Sequence, residues 1–278
     1  MTQGVRAQAG TIGSAIDVCQ PRTGQVHSVF THAVNLKVGD ELWTVTARGG
    51  HDAAFTVRLS GAVRPGDLGL RPGDPVYVRS RHIRAGAAVI DARTAVRWMP
   101  RGYDADLSGL SGRVAELEAA ARHVAWAGSW PLAGAVTGAL ASGGRGDLDD
   151  AVRRALGRGP GLTPSGDDVL VGILAVLTAP GLTAMCEPVA ARLRSVLAPA
   201  LATTNEISRA LLGQAARGHV SRPVWELASA LLSGRSAASF TQARADVLAT
   251  GATSGGDTCA GLVGACQLLS RPLEWISE

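Results

Sequence analysis

The chain has 278 residues and 46% hydrophobic content, enough for one large domain or two ordinary ones with buried cores. Its 27 basic and 23 acidic residues leave a formal charge of +4, and the basic residues are spread along the chain, which excludes the footprint of a nucleic-acid binder. No uninterrupted apolar run reaches the roughly 18 residues that span a bilayer, and the first residues lack a secretory apolar core, so a cytoplasmic protein without membrane association is expected.

From Val26 to about Pro100 the texture is that of strands. Short runs rich in Val, Thr and Phe, such as SVFTHAVNLKV, ELWTVTARG, AAFTVRL, PVYVRS and AAVIDARTAVRW, alternate with Gly, Pro and Asp clusters. Short strands so closely spaced predict a small sheet or barrel. After Asp104 the texture becomes helical. The candidates, in order, are LSGRVAELEAAARHVAWAG, LDDAVRRALG, VLVGILAVL, EPVAARLRSVLAPALA, TTNEISRALLGQAARG, PVWELASALL, FTQARADVLATG and TCAGLVGACQLL. The reading is an α+β protein with a β-rich part over 1–104 and a helical part over 105–278.

Four cysteines, Cys19, Cys186, Cys259 and Cys266, lack CxxC spacing and lie among apolar or small residues, which predicts buried free thiols. Lys37 is the one lysine. The arginine bias fits either guanidinium recognition of anions or a GC-rich coding sequence.

The stretch GRGPGLTPSGDDVLVG, residues 157–172, asks for more than a helix start. A cap needs one residue, whereas glycines repeat at Gly157, Gly159, Gly161 and Gly166, a pattern that lets backbone approach a ligand. The stretch lacks the lysine of a P-loop and the preceding strand of a dinucleotide fingerprint. A second copy follows: Ser165-Gly166-Asp167-Asp168 with Gly172 aligns with Ser254-Gly255-Gly256-Asp257 with Gly261. Two such turns, each opening a helix, could aim backbone N–H groups and positive dipole ends at one anion. In a chain with 35 glycines, chance or shared folding ancestry also accounts for so short a repeat.

Asp167 and Asp168 admit three readings: helix caps, parts of a substrate site, or Mg²⁺ ligands. Adjacent helical residues point about 100° apart, so one ligand is not expected to meet both. In TTNEISR, Asn205, Ser208 and Arg209 share a helix face, which suits a capped solvated helix or a site wall. His32, with Asn35 nearby, and His219 are solitary imidazoles without a metal-ligand or triad spacing.

Together, GRGPGLTPSGDDVLVG, TTNEISRALLGQAARG and VLATGATSGGDTCAGLVG, and more loosely SVFTHAVNL, resemble the AllH-like family, whose named member is a subunit of oxamate carbamoyltransferase in anaerobic allantoin breakdown, a purine-degradation route. GLTPSGDD is the specific signature. Gly256 stands where a bulkier residue is expected in relatives.

The resemblance implies a transferase component acting with partner subunits on small anions such as carbamoyl phosphate and oxamate; no cofactor is expected, and helix-start capping with divergent adjacent carboxyls predicts no bound metal. Carbamoyl transfer needs phosphate-binding N–H groups, a donor for the carbonyl oxygen and a cation for the acceptor carboxylate, and the candidate substrate-binding residues are Thr163, Ser165, Gly166, Asp167, Asn205, Arg209, Thr253, Ser254 and Gly255. Asp168 and Asp257 are the candidate catalytic carboxyls, expected to cap and orient the loops because a carboxylate facing phosphate would repel it, and Arg158 is a further candidate cation. Two alternatives stand beside it: a non-catalytic anion-binding or scaffolding subunit, and a Mg²⁺-dependent hydrolase using Asp167, Asp168 and Asp257.

Overall fold

A computed structural model describes residues 5–270; residues 1–4 and 271–278 lie outside the description. The chain divides into two compact units at Pro100 and Arg101. The architecture is α+β, with strands in the first unit and helices in the second.

The strands are β1 (Arg6–Gly13), β2 (Arg22–Val29), β3 (Ala33–Val38), β4 (Glu41–Thr46), β5 (Thr56–Leu59), β6 (Pro75–Arg79), β7 (His82–Ala85), β8 (Ala88–Asp91) and β9 (Val96–Trp98). They form a ring in the order β1-β5-β4-β3-β2-β6-β7-β8, closed because β8 returns to β1. The first half of β1 pairs with β8 and its second half with β9. Closure removes the open sheet edges that a strand set of this size would otherwise expose. Val34, Leu36, Val45, Val57, Val76 and Ile83 are completely buried, the period-2 inward face of successive strands.

Strand β1 lies outside the region whose texture predicts strands. RAQAGTIG carries alanines and two glycines, poor strand formers, and the ladder on both its edges overrides that propensity. Gly13 is required there: a Cβ would fall 2.1 Å from the Ala53 carbonyl oxygen.

The second unit holds α1 (Leu110–Ala121), α2 (Ser129–Ser142), α3 (Arg145–Ala155), α4 (Ser165–Leu177), α5 (Thr183–Ala200), α6 (Glu206–Ala215), α7 (Arg222–Leu232), α8 (Ala237–Leu248) and α9 (Ser254–Leu269). Helices α4 and α9 are buried on nearly every face and pack against each other, with α1 and α2 against α9 and α6 and α7 against α4. A helix apolar all round belongs in a core, which explains the long runs VLVGILAVL and TCAGLVGACQLL. Helix α2 is absent from the sequence-based elements. SWPLAGAVTGALAS has a weak periodicity of small residues, and tertiary packing supplies what propensity lacks: Ala133 and Thr137 meet the glycine surface of α9 at Gly264.

All four cysteines are free. Cys186, Cys259 and Cys266 are buried, and burial pushes their thiols up to about 11, 12 and 12. Cys19 is exposed, unlike the expectation for all four. No single helix among the described residues is long and apolar enough to cross a membrane; α4 and the α5 segment pass such a test only as a pair bent by 60°.

Candidate functional site

The two Ser-Gly-x-Asp turns lie side by side, each opening a helix. Ser165 is the first residue of α4 and Ser254 the first of α9. Neither helix has a side-chain cap: Pro164 and Thr253 hold the N-cap positions without a capping hydrogen bond. The carboxyls therefore do something other than cap their own helices.

Each aspartate has different partners. Asp167 accepts from the Gly157 N–H at 2.9 Å and from the Thr204 hydroxyl, so it binds the loop after α3 and the segment before α6 to the start of α4. Asp257 accepts on Oδ1 from the Trp126 N–H at 2.8 Å and the Ser129 hydroxyl at 2.7 Å, tying α9 to the junction of α1 and α2. Asp168 accepts only from hydroxyls: Thr163 Oγ1 at 3.0 Å and Ser254, whose Oγ lies 3.2 Å from Thr163 Oγ1. Thr163, Asp168 and Ser254 thus form one cluster across the two helix starts, with Thr163 and Ser254 half-buried at its rim. As adjacent helical residues should, Asp167 and Asp168 serve different neighbours.

The Asp168 carboxyl is pushed up to about 7. Burial is the main cause, the hydroxyls of Ser254 and Thr163 pull the other way, and the nearby Asp257 and Asp167 carboxyls push it further up. A carboxyl that exchanges its proton near neutrality is the kind of group acid–base chemistry uses.

The glycines have a role other than exposing backbone. A Cβ on Gly166 would fall 2.0 Å from the Ala155 carbonyl oxygen, and one on Gly255 would fall 2.0 Å from that of Val247. Each lets the helix start press against the end of the helix before it. Their N–H groups are also engaged, Gly166 with the Arg158 carbonyl at 2.8 Å and Gly255 with that of Thr250 at 3.0 Å. The unobstructed N–H cradle that the glycine pattern suggests is therefore not what Gly166 and Gly255 form.

Asn205 caps α6 by accepting from the Ser208 N–H, and its amide donates to the Leu162 carbonyl, holding the 157–164 loop against the start of α6. Arg209, one turn further, and Arg158 are exposed. Thr253 accepts the Asp257 N–H at its carbonyl. His32 is exposed between β2 and β3; Asn35 belongs to a separate chain of side chains, Ser28–Asn35–Thr44, crossing three strands. His219 follows α6, and burial lowers its ring below the usual histidine range. Among the described residues, no three His, Cys, Asp or Glu side chains are grouped to hold a metal.

Sequence reasoning missed Trp126, Ser129 and Thr204, the partners that anchor Asp257 and Asp167. Trp126 and Ser129 lie 131 and 128 residues from Asp257, and Thr204, although within TTNEISR, lies 37 from Asp167, so nothing local pairs any of them with its aspartate.

These features define a two-unit protein, a closed β-ring followed by a helical unit built on a paired helix start with a carboxyl cluster at its head. Residues 155–266 match the family described as oxamate carbamoyltransferase subunit AllH, and residues 6–97 match the AllH family N-terminal domain. The chain belongs to the AllH family. Among curated proteins and solved structures, nothing matches it.

Proposed function

We propose that this chain is a subunit of an oxamate-type carbamoyltransferase, placed in allantoin catabolism and purine degradation in the cytoplasm, and that it binds a small anionic substrate at the paired helix starts. The observation that carries the chemistry is Asp168, held between the hydroxyls of Thr163 and Ser254 with its carboxyl pushed up to about 7. Transfer requires the acceptor amide nitrogen to attack the carbamoyl carbon while phosphate leaves, and the nitrogen must shed a proton. Asp168 takes that proton, since a carboxyl near neutrality both accepts and returns one efficiently.

The surrounding residues divide the remaining work. Thr163 and Ser254 orient the Asp168 carboxyl with their hydroxyls, and the N-terminal ends of α4 and α9 turn their positive dipole ends toward the substrate anion. Arg209 on α6 supplies a guanidinium for the substrate carboxylate, with Asn205 fixing the start of that helix. Ser165, Gly166, Asp167, Thr253 and Gly255 shape the two turns, and Asp257 faces the same region from α9. Partner subunits complete the enzyme. The engagement of Asp167 and of Asp257 Oδ1 with protein donors gives the metal-hydrolase alternative no support. It leaves open a second reading, a binding subunit that performs no chemistry.

The test is to assay carbamoyl transfer to oxamate with the chain alone and assembled with its partner subunits. Activity in the assembly that falls sharply in Asp168→Asn supports the catalytic reading. Full activity in that variant leaves only the binding role, and an assembly inactive with carbamoyl phosphate and oxamate overturns the reading altogether.

A further inference from the structure

The Thr163 hydroxyl reaches Asp168 from a stretch of backbone that is fixed on both sides. Pro164 follows it with φ locked at −53°, and the Pro164 carbonyl accepts the Asp167 and Asp168 N–H groups at 2.9 and 3.2 Å, which joins that side to the start of α4. On the other side the Leu162 carbonyl accepts from the Asn205 side-chain amide at 3.0 Å. A peptide bond is planar, so holding the Leu162 oxygen also orients the Thr163 N and Cα. Thr163 is β-branched and precedes a proline, two restrictions that tie the direction of its Oγ1 to that plane.

Asn205 does more than cap its helix. Its Oδ1 accepts the Ser208 N–H at 3.0 Å, which turns Nδ2 toward Leu162. Aspartate, serine and threonine cap helices too, but none carries an amide donor beside the capping oxygen. Thr204, the preceding residue, donates to Asp167 Oδ2, and Asp167 Oδ1 takes the Gly157 N–H. Thr204 and Asn205 therefore grip the 157–164 loop at two points, through Asp167 at Gly157 and directly at Leu162.

We propose that Asn205 is a positioning residue for Asp168, acting through the Leu162 carbonyl to keep the Thr163 hydroxyl on the carboxyl; its part in catalysis rests on the carbamoyltransferase reading. The amide is engaged with the protein and not with substrate. The Thr163 bond to Asp168 Oδ2, at 3.0 Å, favours the ionised carboxyl, as does the Ser254 hydroxyl from α9. Burial and the charges of Asp257 on α9 and Asp167 on α4 oppose them. Replacing Asn205 leaves Ser254, Asp257 and Asp167 in place, so loss of the Thr163 bond alone should raise the proton affinity of Asp168.

Asn205→Ser and Asn205→Thr test this in the full chain, because both keep a capping oxygen and are too short to reach Leu162. NMR follows the titration of the Asp168 carboxyl carbon in the parent, in each variant, in Thr163→Val and in the double variants. Thr163→Val should move the midpoint up by about one pH unit, the worth of one hydrogen bond to a charged group. Asn205→Ser and Asn205→Thr should move it the same way, and neither should move it further in the Thr163→Val background. An unmoved midpoint in the single variants, or an equal shift with and without Thr163→Val, overturns the positioning role. So does a raised KM for oxamate in the assembly beside an unmoved midpoint, which places the amide on substrate. In the assembly with its partner subunits, the acid limb of the rate profile should rise with the midpoint; a midpoint that shifts alone removes Asp168 as the base and Asn205 from catalysis. An assembly inactive with carbamoyl phosphate and oxamate removes the carbamoyltransferase reading, and the midpoints of the free chain still decide what Asn205 holds.

Discussion

Gly172 of α4 and Gly261 of α9 meet face to face: a Cβ on either would lie 3.0 Å from the other's Cα. This contact sets how closely the two central helices approach, and with it the distance between the two serine turns at their heads.

Gly172→Ala or Gly261→Ala should therefore destabilise the helical unit by about 1–3 kcal/mol or more, the cost of overpacking a core whose obstacle is backbone. Urea denaturation of the full chain measures it. Parental stability in either variant would show that the helices can part without cost.

Glycines elsewhere on helices should behave oppositely. Gly134 in α2 has nothing within 4 Å of an added Cβ, so Gly134→Ala should stabilise by about 0.5–1 kcal/mol through a reduced unfolded-state entropy. Gly166→Ala, whose Cβ would strike the Ala155 carbonyl oxygen at 2.0 Å, should destabilise instead. Thermal melts of the two variants that move in the same direction contradict this account of Gly166 as a packing residue.

Asp168 predicts a pH dependence of stability. Its carboxyl rises from 3.8 to about 7 on folding, so the folded state binds more protons than the unfolded state between those values. The stabilising contribution of protonation is complete below about pH 4 and is lost as pH climbs to about 7, above which it stays lost. Melting temperatures of the parent and Asp168→Asn across pH 4–8 isolate this component: the difference between them should slope through that window and flatten above it.

Asn205→Ala removes both the α6 cap and the hold on the Leu162 carbonyl. Loss of the cap should cost about 1 kcal/mol. Hydrogen exchange should quicken at the Ser208 amide and in the 157–164 loop while remaining unchanged in β1–β9. Unaltered exchange in the loop would mean that the Asn205 tether does not order it.

Local chemistry in the sequence determined the change of texture near residue 104, the α+β class, the helical starts at both Ser-Gly-x-Asp motifs and the family resemblance, because periodicity and turn composition act over a few residues. It also offered Thr163, Asp168 and Ser254 as candidates. Their convergence was decided by tertiary structure, through the crossing of α4 and α9 at Gly172 and Gly261. Closure of the β-ring through the weak strand β1 and formation of α2 depended likewise on partners distant in sequence, whose packing outweighs poor propensity. The different fates of Asp167, Asp168 and Asp257 follow from what each meets in space. Two carboxyls are occupied by donors from remote loops, whereas Asp168 faces hydroxyls alone, and no property of an Asp-Asp dipeptide distinguishes these surroundings.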